Sequence, residues 1–300
     1  MSNNQSTQKT QPTRTVSWAS PPPPNRRRQG YFLLVFLIPL LLIGIAGMIL
    51  FLGGGRTNIL VLGLDSRESG SDLGRSDTMI LSTFVPREPY FGMLSIPRDL
   101  WVSIPDYGEN RINTAHYFAE ADSPGSGPQA AMITVSQNFG VDVDYYIRIR
   151  FGDFLDLVDL IGGVEIDLPV GMSGYVAGTH YLNGEQALVF VRDRSGSDDF
   201  YRMQRSQIFL KGLWKRMLDP IILQQFPDIL PLVFDMVDTN IPLTKWIYIG
   251  ITMFRVGQDG IDARLVTRDL TNPFTTSEGA QVLGPDWPLI QPILQEMFEQ

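Results

Sequence analysis

Three clusters of mixed charge carry the chemistry open to this sequence: Asp65-Ser66-Arg67, Arg75-Ser76-Asp77 and Arg98-Asp99. Arginine grips phosphate oxygens in a bidentate fork, and aspartate holds a hard divalent cation through oxygen. A mixture of the two therefore suits a phosphate group with Mg²⁺. The plainer alternative is a set of solvated strand ends bearing surface ion pairs. A further cluster gathers Arg192, Arg194, Arg202 and Arg205 with Asp193, Asp198 and Asp199. On a helix running from about residue 200, Arg202 and Arg205 are three apart and share a face, with Asp199 one turn earlier. So many arginines close together in an otherwise acidic chain favour an anion site over a solvated helix face.

The elements that must position these residues follow from hydrophobic patterning. The first clusters border three short apolar runs, residues 59–64, 79–85 and 90–96, rich in aliphatic, β-branched or aromatic residues as buried strands are. In an antiparallel pair the end of one strand lies beside the start of the next, so the clusters should converge at one rim of a sheet. Downstream, helices are expected over 110–121, 129–139 and 153–161, and strands over 145–151 and 164–168. A turn is expected at 180–184, and residues 185–192 read as helix or strand. Residues 221–250 are strongly apolar but interrupted by Pro227, Pro231 and Pro242; they are either core or the lining of a groove for an acyl or isoprenoid chain. One more strand, a loop around Asn272-Pro273 and a closing helix complete the chain. Strands alternating with helices give an α/β class: a layered αβα domain with a mixed central β-sheet flanked by helices.

Composition narrows the function. With no cysteine, disulfides, a thiol nucleophile and cysteine metal sites are all excluded. The chain carries a net charge of −8, yet residues 1–30 hold Lys9, Arg14, Arg26, Arg27 and Arg28 and no acid. The body is thus more acidic than the whole, and an acidic body makes a poor general nucleic-acid binder. The two histidines, His116 and His180, lack metal-ligand spacing, and neither a P-loop nor a G-x-S-x-G elbow occurs.

Residues 1–30 are polar and include Pro21 to Pro24, as in a disordered cytoplasmic tail. Residues 31–52 lack any charge and would span about 33 Å as a helix, enough for a bilayer core. Arg26-Arg27-Arg28 just before them places the N-terminus in the cytoplasm by the positive-inside rule. The organisation expected is a tail at 1–30, one transmembrane helix at 31–52, a Gly-rich hinge at 53–57 and an extracytoplasmic catalytic domain at 58–300 on the cell membrane.

The ordered motifs together resemble the LytR-CpsA-Psr family. They are Asn58-Ile59-Leu60-Val61-Leu62-Gly63-Leu64-Asp65-Ser66-Arg67, Arg75-Ser76-Asp77-Thr78-Met79 and Ser95-Ile96-Pro97-Arg98-Asp99. Arg111-Ile112-Asn113, Asp144-Tyr145-Tyr146, Leu182-Asn183-Gly184-Glu185-Gln186-Ala187-Leu188, Val191-Arg192-Asp193-Arg194 and Asp199-Phe200-Tyr201-Arg202 continue them, so that the resemblance covers roughly 58–218. It implies a membrane-anchored phosphotransferase that moves a glycopolymer from a polyprenyl-pyrophosphate carrier to a peptidoglycan sugar hydroxyl. The implied partners are that carrier, peptidoglycan and membrane lipid, with no nucleic acid. By resemblance, Asp65 and Asp77 would hold Mg²⁺, or Mn²⁺ in its place. Arg67, Arg75, Arg98, Arg192, Arg194, Arg202 and Gln207 would hold the pyrophosphate. Asp77, Arg98, Asp199 and Arg202 would be catalytic, with Asp77 or Asp199 nearest the attacking hydroxyl. An apolar tunnel beside the site, lined by parts of 130–160 and 205–237, would take the prenyl tail. The chain departs from the family at Arg205-Ser206-Gln207, where Arg-Gln is usual: Ser206 stands in the Gln position, and Gln207 lies about 100° further round the helix. Competing readings are a non-catalytic, membrane-tethered binder of polyprenyl phosphates or wall polymers and a lipid pyrophosphatase.

Overall fold

The computed structural model describes residues 35–45, 47, 55–65, 72–193, 199–257 and 259–299. The expected tail, Gly53 and Gly54 of the expected hinge, Arg67 and Arg194 lie outside the described residues. So does part of the expected anchor; within it, residues 35–45 are helical with every side chain exposed. Among the described residues no helix is long and apolar enough to cross a membrane.

The body is built on a mixed sheet. Its central strands are β1 (Thr57–Asp65), β2 (Arg75–Val85) and β3 (Tyr90–Ser95), joined antiparallel. Beyond a hairpin of β4 (Trp101–Ile104) and β5 (Gly108–Arg111) and two helices, α1 (Thr114–Asp122) and α2 (Gly127–Phe139), β6 (Tyr145–Arg150) pairs parallel with β1. The chain continues through α3 (Phe151–Leu160), the hairpin β7 (Val164–Leu168) and β8 (Gly178–Leu182), then α4 (Gly184–Arg192), α5 (Asp199–Met217) and α6 (Pro220–Met236). Short β9 (Asp238–Thr239), α7 (Leu243–Val256), β10 (Ile261–Leu265), a hairpin of β11 (Thr271–Thr275) and β12 (Gln281–Pro285), and α8 (Trp287–Phe298) complete it. The sheet order is β10-β3-β2-β1-β6-β9.

Both faces of this sheet are covered, which is why its strands read as near-continuous apolar runs. Leu60, Leu62, Leu81 and Leu94 pack against α1, α2 and α8 on one face; Ile59, Ile80, Phe84 and Phe91 pack toward α5 and α7 on the other. A third cluster holds α3, the β7–β8 hairpin, α4 and α5 together through Val158, Phe190 and Phe209. The start of the domain is clipped to its end: Arg56 Nη1 donates to Met297 O at 2.7 Å and to Thr83 Oγ1 at 3.0 Å.

Three local expectations need correction, and one turn is placed more closely. Residues 110–111 are strand, not helix, because a turn with Asp106 at φ 67° and Gly108 at φ 74° folds β5 back on β4. The turn expected within 180–184 falls at the end of that stretch, and His180 precedes it in β8. The chain turns after it at Asn183, which caps α4 in a reciprocal capping box with Gln186. Asn272-Pro273 is strand: in a two-stranded hairpin a proline can sit where no ladder donor is needed. Thr57, expected in the hinge, is instead buried in β1.

Candidate functional site

The site begins at an irregularity in the β1–β2 ladder. Gly63 pairs with Thr78 but Leu64 pairs with Ser76, so Asp77 is the extra residue of a bulge. A bulge re-aims a side chain at a sheet rim, and here it delivers the Asp77 carboxylate. Gly63 keeps the strands close, as a Cβ there would lie 3.0 Å from the Thr78 Cβ.

Two arginines close on this carboxylate from separate elements. Arg98, just beyond β3, donates from Nη1 to Asp77 Oδ2 at 3.1 Å, and its Nε reaches Asp99 at 3.4 Å. From α5, Arg202 donates to the Asp77 carbonyl at 3.1 Å, and its Nη1 stands 4.0 Å from Asp77 Oδ2. Arg202 is 6% exposed. At the end of α4, Arg192 pairs with Asp65 at 3.2 Å and lies over the Phe151 ring, 4.5 Å from its centroid. Asp77, Thr78, Phe151, Val191, Arg192 and Arg202 line one small cleft. Arg75 is exposed at the start of β2, opposite Asp65.

The structure thus brings together Asp65, Asp77, Arg75, Arg98, Arg192 and Arg202 from residues scattered over much of the chain. Arg67 and Arg194 lie outside the described residues; Asp199 opens α5, and its side chain is outside them as well. Gln207 is the correction. It is buried, and its amide donates to Ser95 Oγ at 3.0 Å and to Arg264 O at 2.5 Å, bracing α5 against β3 and β10. The helical turn per residue carries it off the face that bears Arg202. Ser206 occupies that face, with its hydroxyl donating back to Arg202 O at 3.1 Å. Arg205 is also enclosed, donating to Asp193 O, and burial lowers its pKa.

An apolar pocket adjoins the charged cleft. Val61, Ile149, Phe154, Ser206, Phe209 and Leu210 line it, with Thr78, Phe151 and Val191 shared with the cleft. It rests on α3 and α5 rather than on residues 221–250, which form two further helices and a sheet edge. Phe151 was read only as the last residue of the alternating strand 145–151, whereas it opens α3 beside the cleft.

Beneath the rim lies a buried polar network. His116, fully buried on α1, contacts Gly74 O through Nδ1 at 3.0 Å and Arg148 Nη1 through Nε2 at 3.4 Å. The neutral tautomer with Nδ1 donating and Nε2 accepting satisfies both. Burial, then the Arg148 guanidinium, push its pKa below the ordinary histidine value, while Gly74 O, Glu120 and Asp72 act in the opposite sense. Because the folded pKa is depressed, the stability from the neutral ring is full above about pH 6.5 and is lost as pH falls. His116→Asn should therefore flatten the decline in Tm between about pH 6.5 and pH 5. Parallel Tm–pH profiles for wild type and variant would remove His116 as the cause.

The comparisons with known proteins agree with this architecture. The model of the LytR_cpsA_psr family matches residues 52–298. The chain belongs to this family. Among curated LytR_cpsA_psr relatives, the polyisoprenyl-teichoic acid–peptidoglycan teichoic acid transferase TagU of Oceanobacillus iheyensis is 34% identical over 194 residues, 63% of this chain and 60% of TagU. TagT of Bacillus subtilis, with the same description, is 33% identical over 176 residues, 54% of this chain and 52% of TagT. The chain thus spans about 60% of the length of the first of these relatives. Among solved structures, B. subtilis TagV superposes with a TM-score of 0.67 at 24% identity, covering 82% of this chain and 98% of TagV. TagT bound to LIIa-WTA superposes with a TM-score of 0.63 at 23% identity, covering 82% of this chain and 91% of TagT. At these identities the superpositions establish the fold.

Proposed function

We propose that this LytR_cpsA_psr protein is a membrane-anchored phosphotransferase. It moves a wall glycopolymer from a polyprenyl-pyrophosphate carrier to a peptidoglycan sugar hydroxyl, leaving a phosphodiester. The observation that carries the reading is the Asp77 carboxylate held between Arg98 and Arg202 in a cleft that opens on an apolar pocket. Guanidinium groups fixed on separate elements suit a pyrophosphate, and the apolar pocket suits the start of an isoprenoid tail. The teichoic acid transferase descriptions of the relatives point to the same donor and acceptor classes.

In the reaction the acceptor oxygen bonds to the polymer-bearing phosphorus as the bridging P–O bond breaks. Polyprenyl phosphate departs with the electron pair. Arg98, Arg192 and Arg202 stabilise the charge that moves to the leaving oxygen, the main resource in phosphoryl transfer. Asp77 is placed to orient Arg98 and to accept the hydroxyl proton. Asp77 is the bulged residue of β2 and Asp65 ends the adjoining β1, and two carboxylates with phosphate oxygens and water are a fitting donor set for Mg²⁺. Bound there, Mg²⁺ would neutralise pyrophosphate charge; both carboxylates are engaged with arginines, so they would exchange partners as the donor enters.

We place the domain outside the cell on the apolar stretch 31–52 and the arginines before it. Protease added to intact cells should remove the domain; full protection would sink this topology. The activity is tested with the full chain in detergent, a radiolabelled polyprenyl-pyrophosphate oligosaccharide, Mg²⁺ and peptidoglycan oligomers. Label arriving on the oligomers supports the ligase. Free sugar phosphate as the sole product would establish a lipid pyrophosphatase, and binding without turnover would establish a scaffold.

A further inference from the structure

A second and larger cavity opens on the other face of the same rim, at the β6–β9 edge of the sheet. Its volume is about 510 Å³, and Asp72, Arg148, Arg150, Asp153, Asp235 and Asp238 line it. That volume lies within the range of small-ligand sites. Strand alternation separates the two sides: Ile149 faces the apolar pocket, while Arg148 and Arg150 face this polar one. The cavity nonetheless touches the charged cleft. Arg150 pairs with Leu64, the residue before Asp65, and Phe151 follows it beneath Arg192.

The lining indicates the chemistry of a ligand here. Arg148 is 7% exposed and spends its terminal nitrogens on Asp72, Glu120 and Asp238. The cavity also presents four carboxylates against two guanidinium groups. Such a wall repels a pyrophosphate, while Phe234, Met236, Val237 and Ile241 give it apolar patches as well. It suits a neutral ligand dense in hydroxyl and amide groups, which carboxylates and guanidinium groups can bind through paired hydrogen bonds.

We propose that this cavity is the subsite for the acceptor glycan, an uncharged strand of acetamido sugars. The proposal rests on the phosphotransferase reading above. With the leaving group's tail held on one face of the rim, in-line displacement brings the attacking hydroxyl from the opposite face, where the cavity lies. The donor's own first sugars have similar chemistry, so the experiment must separate the two.

The test uses the full chain in detergent and Asp235→Trp, which narrows the cavity from an exposed position on α6. Asp235 has no hydrogen bond or ion pair among the described residues, so nothing is stranded by its loss. Asp153→Asn, with unchanged size, serves if the tryptophan variant fails to fold. Initial rates are measured against peptidoglycan oligomer and, separately, against lipid-linked donor. Binding of an N-acetylglucosamine tetrasaccharide is measured without donor. The expected result is an acceptor KM raised at least tenfold, an unchanged donor KM and weakened tetrasaccharide binding. An unchanged acceptor KM would overturn the proposal, and so would a raised donor KM, which would assign the cavity to the donor's sugars. If the wild type transfers nothing, the phosphotransferase reading fails by itself. Binding then decides the cavity: tetrasaccharide bound by wild type and weakened in Asp235→Trp supports a glycan site, while equal or absent binding refutes it.

Discussion

Asp77→Asn is expected to lower polymer transfer by about three orders of magnitude while the protein stays folded. The carboxylate stands where two strands fall out of register, and it receives Arg98 at 3.1 Å with Arg202 4.0 Å away. Asparagine keeps the size and an acceptor oxygen, so the hydrogen bond from Arg98 can persist. What goes is the negative charge, and with it the base and one of two carboxylates proposed for Mg²⁺. The variant also leaves the paired guanidinium groups without their counter-charge, so free pyrophosphate should bind at least as tightly as to wild type. That combination of lost turnover and retained anion binding separates a catalytic defect from unfolding. A loss of less than tenfold in single-turnover transfer would remove Asp77 from the chemistry.

Arg202→Lys should cost about 10- to 100-fold in donor kcat/KM, although the charge is conserved. The guanidinium is buried on α5 and donates to the Asp77 backbone at 3.1 Å while facing its carboxylate. Lysine offers one compact ammonium on a flexible stem and cannot hold a backbone carbonyl and an anion in one planar fork. A hydrogen bond to a charged group is worth about 1.5–3 kcal/mol, and one such bond accounts for the predicted range. The same substitution at Arg75 should be far milder, since that side chain is exposed. Equal effects at the two positions would show that net charge, and not the geometry of the fork, sets donor recognition.

The parts legible in the sequence were those with local causes. Three central strands were visible because burial on both faces makes each a continuous apolar run, and the helix bearing Arg202 because Met203, Ile208, Leu210 and Trp214 give it an amphipathic pattern. The convergence of Asp65, Asp77 and Arg98 followed from antiparallel pairing. The bulge that makes Asp77 the extra residue was not legible, because register is a relation between strands that no single strand records. Gln207 was misread for a similar reason. Its side chain is claimed by Ser95 and the Arg264 carbonyl, partners 112 and 57 residues away. The β6–β9 cavity needs Asp72, Arg148 and Asp238 at once, and none of them stands out in its own neighbourhood. Of residues 221–250, Ile222, Ile229, Ile241 and Ile249 are core, while Ile221, Leu223, Leu232, Phe234, Leu243 and Ile247 stay exposed, and the pocket beside the cleft draws on other elements.

The clip between Arg56 and the Met297 carbonyl has a mechanical consequence. The segment entering the domain is fastened to the segment leaving it, so a pull between the two loads that fastening before it loads the sheet. β1 then runs nine residues from this anchorage to Asp65, about 30 Å at strand rise. Tension arriving through the entering chain is therefore met at one end of a central strand, and the charged cleft sits at the other, shielded from it by the strand's pairing with both neighbours.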